Sequence, residues 1–259
     1  MAWLESPIQL AAELGPPGWT VVAAERSKDR APRLTAAASF DATSPSLKEE
    51  FRQLRMREHL PFHAAIVLWP EPGDPGVDAF DSHARGRVSL PKARVIRERV
   101  APFVRSGGRV RAVLLPHEAV VPLAALAGWS SAFVLVMQPP VACLAVVAAG
   151  IVDATYVSWE PVRVDVADAP ARLLARYQFA SRLMPYVRAR AGEVPDARVA
   201  VCGRYPDLRV AMVPIVEDLD REVDVLDSAL VGASGLDPVE PDETSARQLA
   251  WAVAAGAGD

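Results

Sequence analysis

Residues 132–152 read AFVLVMQPPVACLAVVAAGIV and carry no charged side chain before Asp153. A helix of about 20 such residues would cross a bilayer core. Pro139 and Pro140 sit near the middle of the run, where their rings and missing N–H groups break a helix. Both halves are rich in valine, which suits the pleated surface of a sheet. The stretch therefore predicts two buried strands joined by a tight turn at Met137-Gln138-Pro139-Pro140, not a membrane span. That turn has no carboxylate, no hydroxyl and no glycine.

The chain has 259 residues, half of them apolar, which suits one large or two modest globular domains. A formal net charge of −4 gives no electrostatic case for nucleic acid, whose partners concentrate basic charge on one face. Lysine is confined to Lys28, Lys48 and Lys92 while alanine is abundant, a pairing that points to a GC-rich genome. Cys143 and Cys202 lie in apolar, strand-like runs and read as buried thiols of a reducing compartment. The N-terminal MAWLESPIQLAAELG carries Glu5 and Glu13 and has no basic opening, so no signal peptide is expected. The expected location is cytoplasmic.

Working outward, residues 6–14 (SPIQLAAEL) predict a short helix ended by Gly15-Pro16-Pro17-Gly18. Residues 19–25 and 33–40 predict a hairpin. From Ser46 an amphipathic helix places Leu47, Phe51, Leu54 and Met56 on one side. Residues 64–69 read as a buried strand, 71–86 as a loop, 86–91 as an edge strand and 92–105 as a helix holding Pro102. A strand at 109–116 and a helix from His117 follow. Residues 132–159 predict a three-strand meander. One long helix is expected from Ala169 to Ala191, with Leu173, Leu174, Tyr177, Phe179, Leu183 and Tyr186 available for packing. A strand at 198–203, a helix, the strand EVDVLD and an alanine-rich final helix close the chain.

Four stretches, taken in this order, resemble the phosphate and nucleoside elements of the actin-like ATPase superfamily, and the whole chain looks like a short, divergent member of its PilM pilus-assembly branch. VVAAERSKDRAPRL looks like the first phosphate turn, and LVMQPPVACLAVVAAGIV looks like the second. ARVAVCGRYPDLRVAMVPIVEDLDREVDVLD looks like the nucleoside-binding unit, and ARQLAWAVAAGAG like the closing helix. The resemblance implies an α/β, two-lobed actin-like (ribonuclease H-like) fold, with mixed sheets flanked by helices. It implies a first lobe at 1–130 with an inserted subdomain at about 47–116, a second lobe at 131–235, and a linker and closing helix at 236–259.

Family members place an Asp and a Gly in each phosphate turn, the acid for a metal or its water and the glycine for close approach to phosphate. Here the corresponding positions are Glu25 and Ser27 in the first turn, Gln138 in the second, and Cys202, Gly203 and Arg204 at the nucleoside. Three altered elements argue against ATP hydrolysis and against ATP as a resident cofactor. The expected role is a catalytically silent scaffold of type IV pilus or related secretion-system assembly. By resemblance it is peripheral at the inner membrane, where it binds the cytoplasmic tail of a bitopic membrane protein. A sugar- or acetate-kinase-like phosphotransferase and an unrelated α/β domain are the alternatives.

Other polar groups read as structural. His59 and His63 are spaced for a metal on a helix, but Pro61 lies between them. Asp74, Asp78, Asp81 and His83 depart from the spacing of a calcium loop. His117 and Glu118 are adjacent, so they would point about 100° apart on a helix; Glu118 favours a helix start. No metal site is expected, and no Walker, Gly-x-Ser-x-Gly or Cys-x-x-Cys motif occurs.

Overall fold

The computed structural model describes residues 8–15, 18–27, 30–41, 44–78, 92–160, 168–203, 208–226 and 253–254. The first sheet contains β1 (Ile8–Gly15), β2 (Gly18–Ser27), β3 (Arg30–Phe40), β4 (His63–Leu68) and β5 (Arg109–Leu114), in the order β3-β2-β1-β4-β5. The second contains β6 (Ser131–Gln138), β7 (Val141–Ala148), β8 (Ile151–Ser158), β9 (Arg198–Gly203) and β10 (Val223–Val225), in the order β10-β9-β6-β7-β8. Each sheet opens with an antiparallel meander and continues with two parallel strands on the far side of its first strand. The two halves thus repeat one topology, and the apolar run 132–148 is the buried hairpin β6–β7.

Strand alternation sorts the side chains into layers. Leu10, Ala12, Val21, Ala23 and Ile66 face α1 (Leu47–Arg57) and α2 (Ala93–Arg105), where Phe51, Leu54, Val100 and Phe103 meet them. Their neighbours Ala11, Val22, Ala65 and Val67 turn the other way and share a cluster with Val134, Val136, Cys143, Ala145, Tyr156 and Cys202 of the second sheet. Helix α3 (Pro116–Leu126) lies in that middle layer through Ala119, Val120, Leu123 and Ala124. The outer face of the second sheet, with Phe133, Leu135 and Leu144, packs on α4 (Ala169–Arg182), α5 (Met184–Gly192) and α6 (Arg209–Leu219). Val253 and Ala254, in the stretch read as the closing helix, are buried in the middle layer.

Several expectations are corrected. Residues 8–15 are a central strand, because β1 is hydrogen-bonded on both sides, to β2 and to β4. Within the stretch 47–116, β4 and β5 continue the sheet of β1. The long helix is two helices meeting at Leu183, since Pro185 has no N–H to carry the ladder through the junction. Leu173, Leu174 and Tyr177 are exposed, as is Met56, while Phe179 and Leu183 are buried. The strand expected at 86–91 lies outside the described residues, as does most of the closing helix.

Gly203 ends β9 beside Met137 of β6, with φ +115°. A side chain there would set its Cβ 2.6 Å from the Met137 nitrogen, and closer still to the Met137 carbonyl oxygen. The glycine is required by backbone contact between two central strands. Gly203→Ala is expected to destabilise the protein by roughly 3 kcal/mol, from positive-φ strain and overpacking together, read as a lower urea midpoint.

Candidate functional site

Open sheets of this kind bind ligands outside the carboxyl ends of their parallel strands, so the candidate site lies at the tips of β1, β4, β6 and β9. The repeated topology makes the β1–β2 turn the counterpart of the β6–β7 turn. Gly15 pairs with Gly18 across the first, and Gln138 with Val141 across the second. The connecting residues are Pro16-Pro17 and Pro139-Pro140, the latter joined by a cis peptide bond. Proline supplies no N–H, so both turns lack donors that a phosphate cradle uses.

Glu13 lies two positions before Gly15 on β1. Its side chain faces inward and is buried at 5% exposure. Trp69, just past β4, donates its indole Nε1–H to Glu13 Oε1 at 2.7 Å, and its backbone N–H to the Leu14 carbonyl at 3.2 Å. Counting back from the second turn, the position equivalent to Glu13 is Val136. One tip therefore holds an acid engaged by tryptophan, and the other a valine.

The expected site residues divide. Gln138, Cys202 and Gly203 come together at the β6–β9 tip, where Val136 pairs with Cys202 and Met137 with Gly203. Cys202 is buried in the middle layer and Gln138 is buried at the turn. Glu25 and Ser27 sit at the opposite end of β2 from Gly18, where Glu25 is exposed and pairs with Ile8 and Arg33. The first turn of the sheet is thus 15–18, one strand earlier than residues 25–27. Arg204 lies outside the described residues. His59 follows α1 with φ +51° and His63 opens β4. Among the described residues no three His, Cys, Asp or Glu side chains gather for a metal. Glu13 is buried, Gln138 is buried at the opposing turn, and the two prolines of each turn bring no N–H.

Two contact sets tie the halves together beside these tips. Val77 bridges in parallel to Tyr156, Asp78 N–H donates to the Tyr156 carbonyl at 2.9 Å, and Asp78 Oδ1 accepts from Ser158 N–H at 2.9 Å. Arg182 of α4 pairs with Asp78 at 3.4 Å, and Arg99 of α2 reaches Glu71 at 3.1 Å and Asp74 at 3.0 Å. The segment leaving β4 is in this way fastened to the outer strand of the second sheet. At the start of α3, His117 N–H donates to the Tyr156 hydroxyl at 3.2 Å, and His117 Nδ1 lies 2.9 Å from the same oxygen. Cys143, paired with Tyr156 across β7 and β8, adds its thiol to this group.

Burial keeps the group uncharged. It pushes the Cys143 thiol up to about 12, raises Tyr156 well above its ordinary value, and lowers His117 against the pull of Glu118 and Asp153. With the imidazole neutral, the Tyr156 oxygen accepts the His117 amide, and the hydroxyl shares a further hydrogen bond with His117 Nδ1 whose donor is set by the ring tautomer. The arrangement is a pin between α3 and the second sheet.

No family model matches the chain, and no curated protein matches it. Solved structures do. Ethanolamine utilization protein EutJ from Carboxydothermus hydrogenoformans superposes with a TM-score of 0.60 at 13% identity, over 95% of this chain and 90% of that one. The PilM-PilN type IV pilus biogenesis complex gives 0.52 at 14%, over 95% and 96%. Component A of the (R)-2-hydroxyglutaryl-CoA dehydratase of Acidaminococcus fermentans gives 0.53 at 9%, over 96% and 98%. At these identities the likeness concerns the fold. The chain has the α/β, two-lobed actin-like fold with mixed sheets flanked by helices, and the PilM type is one of several that share it.

Tyr156→Phe removes the pin and leaves the His117 amide and Nδ1 without that oxygen. The expected cost is roughly 2 kcal/mol, measured by urea denaturation. The lowered folded-state value of His117 also fixes a pH dependence. As pH falls through the ordinary imidazole value of 6.5, the unfolded chain takes up the proton first, so stability present above that pH is lost below it. Between about pH 7.5 and about pH 5.5, wild type is expected to lose more stability than His117→Asn.

Proposed function

We propose that this chain is a catalytically silent actin-like scaffold, which binds the cytoplasmic tail of a bitopic inner-membrane protein during assembly of a type IV pilus or a related secretion apparatus. The observation that carries the reading is the burial of Glu13, the carboxylate before the first turn, whose Oε1 accepts a hydrogen bond from Trp69. The prolines of both turns and Val136 work in the same direction. The apparatus and the class of partner are suggested by the PilM-PilN type IV pilus biogenesis complex, a protein pair whose PilM-type fold this chain shares.

In this reading residues 1–130 and 131–235 are the lobes and 236–259 is a linker and closing helix, consistent with the burial of Val253 and Ala254 between the sheets. In this reading attachment to the inner membrane runs through the partner, as the PilM-PilN complex suggests; among the described residues no helix is long and apolar enough to cross a membrane. A tail of about ten residues gains affinity from a few apolar anchors or from strand addition, neither of which needs nucleotide.

Phosphate release from magnesium ATP is expected to stay at the blank level. Turnover that survives purification and is lost in Glu13→Gln contradicts the silent reading. Membrane proteins of a pilus apparatus are expected to be retained in nucleotide-free buffer only when their cytoplasmic tails are intact. Retention that ignores the tail, or that requires ATP, contradicts the proposed mode of binding.

A further inference from the structure

Helix α4 packs Ala175 and Phe179 on the second sheet, and a helix so placed normally turns charged or polar side chains to solvent. Here the outer face is apolar. Leu173, Leu174 and Tyr177 are exposed, and of the exposed positions on the helix only Arg182, in its last turn, is charged. At 70% and 72% exposure, Leu173 and Tyr177 stand proud of the surface and line no groove. Four residues apart, they lie one above the other on the helix, with Leu174 beside them.

The charge around this face is basic. From Ala169 to Gly192, α4 and α5 carry Arg172, Arg176, Arg182, Arg188 and Arg190 and no acid, in a chain whose net charge is −4. Arg182, Arg188 and Arg190 are met by acids outside the two helices. Arg176, one turn along from Leu173, has no ion pair among the described residues. The acid nearest to α4 in sequence is Asp168, at its N-cap.

Charge and shape decide what covers such a face. A second copy laid on it would set arginine against arginine, which opposes association. A peptide seeks a groove or a sheet edge, and protruding side chains offer neither. An anionic bilayer surface fits each feature: leucines enter the apolar boundary below the headgroups, a tyrosine ring suits the interface, and arginine pairs with lipid phosphate. We infer that the outer face of α4 is a membrane-contact surface, on which Leu173, Leu174 and Tyr177 insert into anionic phospholipid and Arg176 lies at headgroup level. One contact of this size gives reversible binding, and durable attachment takes a second signal. Such binding needs neither a pilus partner nor its tail.

Sedimentation of the full chain with phosphatidylglycerol vesicles is expected to give partitioning roughly tenfold stronger than with phosphatidylcholine vesicles, and weaker as salt is raised. Leu173→Gln combined with Tyr177→Gln, both at exposed positions, is expected to abolish it while circular dichroism shows the fold retained. A polarity-sensitive fluorophore attached at Leu173→Cys is expected to report an apolar environment on addition of phosphatidylglycerol vesicles. The same fluorophore at Lys48→Cys, an exposed position of α1, is not; native Cys143 and Cys202 are buried. An absence of partitioning, equal partitioning into the two lipids, or partitioning indifferent to the double variant overturns the inference. So does a fluorophore that responds alike at both positions. Self-association without vesicles that the double variant removes overturns it too, because a second copy then covers the face.

Discussion

Both sheets bury one face against the same middle layer, and that shared apolar contact is the constraint on which the rest of the structure depends. Ala11, Val22 and Val67 from one side, and Val134, Ala145 and Ala200 from the other, reach it together with α3. Small and β-branched residues dominate because little depth remains once two sheets and a helix occupy it. A cleft that must admit a nucleotide needs polar walls and space at its mouth. Trp69 is buried in this layer, and its indole donates to Glu13 of its own chain.

The polar contacts around Tyr156 give that layer its direction. A buried hydroxyl is shared here by a backbone amide, an imidazole and a thiol, and leaving any of them open is costly. Asp78 repeats the device on the other side of β8 by engaging Ser158 N–H and Arg182. The exposed ion pair of Asp78 with Arg182 adds little by itself. The hydrogen bonds of Asp78 anchor the segment leaving β4 to a strand of the other sheet.

Much of this was legible in the sequence. Pro139-Pro140 inside a valine-rich run gave the hairpin, and the order of elements gave a fold of two similar halves. The first strand was not legible, because Ala, Glu and Leu in IQLAAEL favour a helix. The alternation of Ile8, Leu10, Ala12 and Leu14 against Gln9, Ala11 and Glu13 was the competing signal, and burial between two strands decided in its favour. That reading left the β1–β2 turn at 15–18 out of the comparison with the first phosphate turn. The recurrence of a proline pair followed by VVAA, at 16–24 and at 139–149, marks the two equivalent turns. Pro185 likewise marked the break between α4 and α5. Trp69 carried no local signal, because its role depends on parallel pairing that brings β4 beside β1.

The account stands on the claim that the strand tips no longer hold a nucleotide. A ligand that binds only the folded state raises its melting temperature as concentration rises. Thermal denaturation of the full chain across a series of magnesium ATP concentrations tests this directly. The account predicts a melting temperature that does not move beyond the shift produced by magnesium and an inert salt of matched ionic strength. A rise that grows with the logarithm of ATP concentration and disappears in Glu13→Gln would contradict it.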